Sequence, residues 1–338
     1  MPTFWRAAFR LSLCVSSNCG KTGSCATSAR KVRGSGFLNI LQRERPLFRA
    51  KLLPIQYGSL PGKGQIAGKR QNERILRRML HNKTDAAKCD VKKAYPSTTV
   101  ECVMNLLRRD IGKNKPLLWL VEAVMANYPD GVLLIGGYLP CWLFNYVMSY
   151  VLRYILSHRK VRRGKSFKMI LAICCYADDI TVYGRISNLT KVMKDTTRWA
   201  KETLGLTIKS AWDIIHFASF DAERQQNKRR KAGSHQRTPG LDMMGYVVRR
   251  TYTIIRGRNF VKLRRAILRA QRDLDALGHV PWWRAQRIMS QWGEIKHSDS
   301  RGFCQKYNVY KIIRAAKRSV SWHSKQLLLK EQTHGAVC

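Results

Sequence analysis

Two adjacent aspartates, Asp178 and Asp179, follow Tyr176-Ala177 at the end of the apolar run Met169-Ile170-Leu171-Ala172-Ile173-Cys174-Cys175 and precede Ile180-Thr181-Val182-Tyr183. Apolar runs of this kind, split by a short polar step, predict a β-hairpin of two buried strands with the pair at its tip. Acids are scarce in this chain: 21 Asp and Glu stand against 63 Lys and Arg. Two carboxylates side by side in an apolar hairpin cost desolvation and repulsion unless cations neutralise them. Divalent metal ions would do so. Asp90 is the natural partner, since it closes the predicted strand Ala87-Lys88-Cys89-Asp90-Val91 and opens Lys92-Lys93-Ala94-Tyr95-Pro96-Ser97. Three carboxylates from two neighbouring strand ends can hold two metal ions about 4 Å apart, a clamp that stabilises the attacking and leaving oxygens of phosphoryl transfer. Taken singly, Asp90 reads as a turn or capping aspartate and Asp178-Asp179 as a solvated turn. The combination is far more specific than its parts.

The elements that must position these residues can be traced along the chain. Residues 51–81 mix a strand-like opening, the loop from Tyr57 to Gly64, and a basic helix around Arg74–Leu80. Ser97-Thr98-Thr99 caps a helix through about Arg109, with Glu101 in its first turn. Leu117–Ala126 predicts a second helix and 141–156 a third. The basic stretch Arg159–Lys168 precedes the aspartate hairpin, and a helix over 187–204 follows it. Gln225–Gly240 reads as a polar, basic loop. Leu241–Tyr246 and Tyr252–Arg256 predict a second hairpin, and Lys262–Leu277 an arginine-rich amphipathic helix. The remainder to about 325 reads as helical and basic.

Composition narrows the function classes. The 338 residues are 45% hydrophobic, enough for a folded core rather than a disordered polycation. The formal charge of +42 is spread along the chain and points to a polyanionic partner, with nucleic acid fitting better than an acidic protein or a membrane. The ten cysteines show no disulfide framework, and Cys14, Cys19 and Cys25 lack zinc-site spacing, so a reducing cytoplasm is the expected compartment. Residues 1–43 lack Asp and Glu, a composition shared by transit peptides, by basic arms and by a start placed too far upstream. Gly131–Leu152 carries no charge and meets the crude length test for a membrane span. Its Gly136-Gly137, Pro140 and Asn145 favour a glycine turn followed by a buried helix.

At these residues the chain resembles reverse transcriptases. Asp90-Val91-Lys92-Lys93-Ala94-Tyr95-Pro96-Ser97 is similar to the first catalytic motif of their palm, and Tyr176-Ala177-Asp178-Asp179 to the YxDD box. Between them, Leu134-Ile135-Gly136-Gly137-Tyr138-Leu139 resembles the glycine turn against template and incoming nucleotide. Leu204-Gly205-Leu206-Thr207-Ile208-Lys209 is similar to the next palm motif, and Leu241-Asp242-Met243-Met244-Gly245-Tyr246 to the primer-grip hairpin. Tyr57 through Arg70 resembles a fingers motif. The likeness covers roughly 51–260, with a thumb following to about 325.

The resemblance implies an α+β right-hand polymerase. Its parts would be a basic segment at 1–50, partial fingers over 51–86, a palm over 87–256 carrying the basic loop 225–240, a helical basic thumb over 257–325, and a tail at 326–338. Asp90 and Asp178 would bind two Mg²⁺ ions, or Mn²⁺ in their place, with Asp179 and the Val91 carbonyl assisting. Tyr95 would gate against a ribose 2′-hydroxyl, which makes dNTPs the substrates; it also reads as a core aromatic. Lys209 would serve the departing pyrophosphate, or is a solvated lysine. Gly136 would let the backbone approach the nucleotide, beside Ile135, where many members carry glutamine. Lys63, Lys69 and Arg70 would contact phosphates, although a solvated basic face explains any one of them.

The apolar Ile135 resembles the enzymes of diversity-generating retroelements and other bacterial or phage members, including group II intron-like ones. Pro140-Cys141 departs from the Ser-Gln usual there. The implied partners are an RNA template, a DNA or RNA primer and dNTPs, with an accessory protein left open and no membrane. Trp282, Trp283 and Trp292 could stack on nucleic acid, but thumb core is their commoner role. Two other readings keep the scaffold: a phage-defence reverse transcriptase with an atypical template or none, and a decayed RNA-binding homologue. A basic membrane protein built around 131–152 is the reading of a different class.

Overall fold

The computed structural model describes residues 48–79, 84–209, 212–231 and 237–335. The expectations for residues 1–43 lie outside them. The described residues form two compact units of mixed α/β structure. One holds the residues up to Gly68 together with those through His216; the other begins at Lys69, within helix α1 (Gln65–Arg78), and resumes at Phe217.

The first unit is built on an antiparallel sheet in the order β4-β5-β1-β6, with β1 at Asp85–Asp90, β4 at Ile170–Tyr176, β5 at Asp179–Gly184 and β6 at Asp213–His216. The burial of β5 is nearly continuous, as befits a strand flanked on both sides. Asp85 locks β1 in place: its carboxylate accepts from the Ile186 backbone N–H at 3.1 Å and meets His216 Nδ1 at 2.7 Å. The first contact caps helix α5 (Ile186–Leu204), which Gly205 ends with φ 68.

Helix α2 (Val100–Ile111) forms as its sequence signals require. Thr99 caps it by accepting from the Cys102 N–H, Glu101 lies in the first turn, and Arg108 and Arg109 lie in the last. Its buried face of Val103, Met104, Leu106, Leu107 and Ile111 repeats at helical spacing. Helix α3 (Lys115–Met125) follows, capped by Asn114. Helix α4 (Tyr138–Ser157) is buried nearly all round as far as Leu152, which accounts for the absence of charge up to that residue; Arg153, the one charged residue of the helix, is exposed. No described helix is long and apolar enough to cross a membrane. The basic stretch before the aspartate hairpin is itself a hairpin of β2 (Arg159–Arg162) and β3 (Lys165–Lys168).

The second unit holds a three-stranded meander of β7 (Leu241–Met243), β8 (Tyr246–Val248) and β9 (Thr253–Ile255). The sequence reading placed a single hairpin there. Met244 and Gly245 turn with φ 54 and 81, so Tyr246 starts a strand of its own. A helix α6 (Phe220–Lys231) occupies the start of the stretch read as a loop over 225–240. Its start signal lies upstream, where Ser219 accepts from the Ala222 N–H and Asp221 and Glu223 fill the first turn. Helices α7 (Gly257–Leu277), α8 (Trp282–Lys296), α9 (Arg301–Lys306) and α10 (Val309–Gly335) share a second core around Leu263, Ile267, Ile288 and Ile312. Trp292 packs against that core, as expected of it. Trp283 does not; it is 56% exposed, with Arg284 stacked 4.3 Å from its ring centroid.

Candidate active site

The hairpin of β4 and β5 pairs Tyr176 with Asp179, so its loop is the two residues Ala177 and Asp178. Ala177 has φ 53, a left-handed conformation in which a two-residue hairpin turn ordinarily favours glycine, asparagine or aspartate. Such strain persists only where surrounding structure holds it. Here the segment Ile55–Gly58 does so. Cys175 N–H donates to the Ile55 carbonyl at 3.0 Å, and Tyr57 N–H donates to the Cys175 carbonyl at 2.8 Å. Gly58 then passes so close to the turn that a Cβ on it would stand 2.3 Å from the Ala177 nitrogen.

A buried polar clamp fixes that segment. Asn145 on α4 donates to the carbonyls of Gly58 at 3.0 Å and Cys141 at 2.8 Å. The fully buried Gln56 donates to the Asn145 carbonyl at 2.7 Å and accepts from Leu53 N–H. Gly58, Gln56 and Asn145 have no site role in the sequence reading. The one available signal was Asn145, an amide flanked by apolar and aromatic residues on its helix.

The strand register brings the carboxylates together. Asp90 at the end of β1 is the Cα partner of Asp179 at the start of β5. Val91 N–H reaches the Asp178 carbonyl at 3.4 Å. On the other side of β1, Lys92 N–H donates to the Thr207 carbonyl at 2.8 Å and Lys209 N–H to the Asp90 carbonyl at 3.0 Å. That bridge aims the Lys209 ammonium at Asp90 Oδ2, with which it is ion-paired. Lys88 Nζ lies 4.0 Å from Asp179 Oδ1.

The electrostatics follow from this crowding. Burial pushes the Asp178 carboxyl up to about 6, with the hydrogen bond to Asp90 and the charges of Asp90 and Asp179 adding to it. Burial likewise pushes the Cys89 thiol up to about 12, helped by the same two charges. The hydrogen bond to Asp90 and its charge raise the Lys209 ammonium above its ordinary value.

Tyr95 is half-buried behind the carboxylates. Its hydroxyl donates to Cys141 Sγ at 3.4 Å, and its ring centroid lies 5.0 Å from that of Phe144. Burial first, then Cys141 and the charge of Asp178, raise its hydroxyl pKa well above the usual range. The ring contact with Phe144 accords with the reading of Tyr95 as a packed aromatic; its reading as a gate against a ribose 2′-hydroxyl concerns a nucleotide and is part of the proposed function.

The other candidate residues are placed differently. Ile135 is 76% exposed and Gly136 turns with φ 86 just before α4, outside the hydrogen-bonded cluster of the carboxylates. Lys63 donates to the Pro54 carbonyl at 2.5 Å and lies over the Tyr57 ring, and burial lowers its pKa. Lys69 and Arg70 belong to the second unit. Lys69 departs from the expected phosphate contact: it is 5% exposed, pairs with Glu73 at 2.7 Å and packs over Tyr246. A lysine so enclosed serves its own unit's packing.

Among the described residues, no three carboxylate, thiol or imidazole groups converge on a common ion position. Asp90 is shared between the Lys209 ammonium and the Asp178 carboxyl. The donor set nonetheless fits a hard divalent cation, since all three candidate ligands are carboxylates at neighbouring strand ends. Burial first, and then the neighbouring carboxylates, disfavour the charged form of Asp178, and a bound cation would offset both. Asp90, Asp178 and Asp179, with the Val91 carbonyl, could hold such ions.

No family model matches the chain, and no curated protein does either. Among solved structures it is similar to telomerase from Candida albicans, determined in complex with the TWJ fragment of telomeric RNA, at 10% identity and a TM-score of 0.43. The match covers 87% of this chain and 54% of that one, so the chain spans about half the length of this neighbour. A likeness this distant decides nothing about the chemistry.

Proposed function

We propose that this chain is an RNA-directed DNA polymerase that builds DNA on an RNA template by two-metal nucleotidyl transfer. The observation that carries the reading is the register of Asp90 opposite Asp179, with Asp178 on the strained turn between β4 and β5. In this reading a primer 3′-hydroxyl attacks the α-phosphate of a dNTP and pyrophosphate leaves. Two Mg²⁺ ions, when bound, supply positive charge to the attacking and leaving oxygens. Asp90 and Asp178 are the main ligands, with Asp179 and the Val91 carbonyl assisting, and Mn²⁺ suits the same oxygen set.

The chain's own residues do the rest. Tyr95 fills the space where a ribose 2′-hydroxyl would lie and so selects deoxynucleotides. Lys209 neutralises Asp90 in the resting protein and is freed to meet the charge of the leaving pyrophosphate. The strained turn holds Asp178 forward without reorganisation during the reaction. The +42 charge of the chain suits the backbone of a primer–template.

A second reading is a catalytically decayed RNA-binding protein. The observation favouring it is the ion pair of Asp90 with Lys209, which occupies a carboxylate that a metal would need. Primer extension on an RNA template with Mg²⁺ and dNTPs separates the two. The polymerase reading expects extension by the wild type and none by Asp178→Asn, with RNA affinity retained. Equal extension by both would remove Asp178 from the chemistry. Tight RNA binding without extension by either would favour the decayed scaffold.

A further inference from the structure

The β2–β3 hairpin lies outside the main sheet and outside the carboxylate site. All ten residues from Arg159 to Lys168 are exposed. Six are basic and none is acidic: Arg159, Lys160, Arg162, Arg163, Lys165 and Lys168. Arg163 and Gly164 form the turn with φ 49 and 72, the positive pair of a type I′ hairpin, which matches strand twist and fixes the register.

That register sorts the side chains. Lys160 is the cross-strand partner of Phe167, and Arg162 that of Lys165. Cross-strand partners share a face, and so do residues two apart along a strand. One face therefore carries Phe167 with Lys160, Arg162 and Lys165 around it. Phe167 is 46% exposed. A two-stranded hairpin with both faces in solvent is marginal alone, and an exposed phenylalanine on it gains nothing from water. Lys160 Nζ lies 3.4 Å from Asn188 Oδ1, which ties the hairpin to the start of α5.

An aromatic ring ringed by cations on an open strand face has the chemistry of a single-strand platform. Bases stack on the ring and phosphates meet the cations. A duplex offers the cations its backbone but keeps its bases stacked inside, away from Phe167. We propose that this face of the β2–β3 hairpin binds a single-stranded segment of RNA, with Phe167 stacking on a base and Lys160, Arg162 and Lys165 contacting flanking phosphates. The choice of RNA over DNA rests on the polymerase reading; the platform itself does not.

The test is binding of a short fluorescent single-stranded RNA, and of the same RNA in a perfect duplex, followed by anisotropy over a salt series. Phe167→Ala should weaken single-strand binding about 5- to 150-fold and leave duplex binding unchanged. Phe167→Tyr should restore it. The triple variant Lys160→Gln, Arg162→Gln, Lys165→Gln should lower the slope of log affinity against log salt by roughly 2 on single strands. All four side chains belong to exposed residues outside the two hydrophobic cores, so the global fold should hold, and recovery of binding by Phe167→Tyr separates loss of the ring from loss of the hairpin. Unchanged single-strand binding by Phe167→Ala, or equal loss on single strand and duplex, would overturn the proposal. Because binding is read without catalysis, inactive protein in primer extension neither supports nor removes it.

Discussion

Asp178 carries the most consequence of any single residue. Its carboxyl is pushed up to about 6, so the metal-free folded protein keeps a proton that an unfolded chain loses near 4. The folded state thus binds more protons in that window, and the resulting stability is present at low pH and lost as pH rises through about 6. Metal binding needs the ionised form, so it must displace that proton. Thermal unfolding with and without Mg²⁺ should show a small Mg²⁺-dependent rise in Tm at about pH 5 and a larger one at about pH 8. Asp178→Asn should remove that difference, and an equal rise at both pH values in the wild type would contradict the assignment. Tyr95 makes a separate claim at this scale. Replacing it with alanine should leave dNTP incorporation measurable while raising competing rNTP incorporation, checked by extension with each nucleotide class. Tyr95 is also packed on Phe144, so a modest loss of stability should accompany the change.

Among the elements, the passage of Ile55–Gly58 beside the aspartate turn matters most. Gly58→Ala places a methyl group against backbone that cannot yield cheaply, at a cost of about 1–3 kcal/mol. Because the strain falls on the turn that carries Asp178, extension should drop more than the melting temperature suggests. Asn145→Ala removes two donor contacts inside the core and should destabilise the first unit by about 1–3 kcal/mol, measurable by chemical denaturation. The aspartate hairpin, a helix cap within Ser97-Thr98-Thr99 and a buried helix over 141–156 are legible in the sequence because each is signalled by neighbours in the chain. The clamp was not legible, since Gln56 and Asn145 meet across 89 residues and only their juxtaposition gives them meaning. Lys69 illustrates the same limit: a lysine in a basic run reads as solvated until Glu73 and Tyr246 are seen around it. Helix α6 was hidden for another reason, namely that a polar helix without an apolar stripe has no periodicity to read.

For the molecule as a whole, the polymerase reading assigns the basic charge to contact with nucleic acid. With 63 Lys and Arg in 338 residues, RNA affinity should fall by on the order of 10³ or more between about 50 and 200 mM salt, traced by filter binding. A flat response would mean that the basic residues serve something other than a phosphate backbone. Each compact unit has its own hydrophobic core, and the carboxylate cluster belongs entirely to the first. In the polymerase reading this cluster performs metal-dependent nucleotidyl transfer. Its most direct test is incorporation of a single dNMP onto a primer annealed to RNA, followed across a Mg²⁺ titration for the wild type, Asp90→Asn and Asp178→Asn. RNA affinity is measured on the same samples. The wild type should show saturable, Mg²⁺-dependent incorporation and both variants background levels at matched RNA binding. Undiminished incorporation by either variant, or incorporation indifferent to Mg²⁺, would contradict that reading.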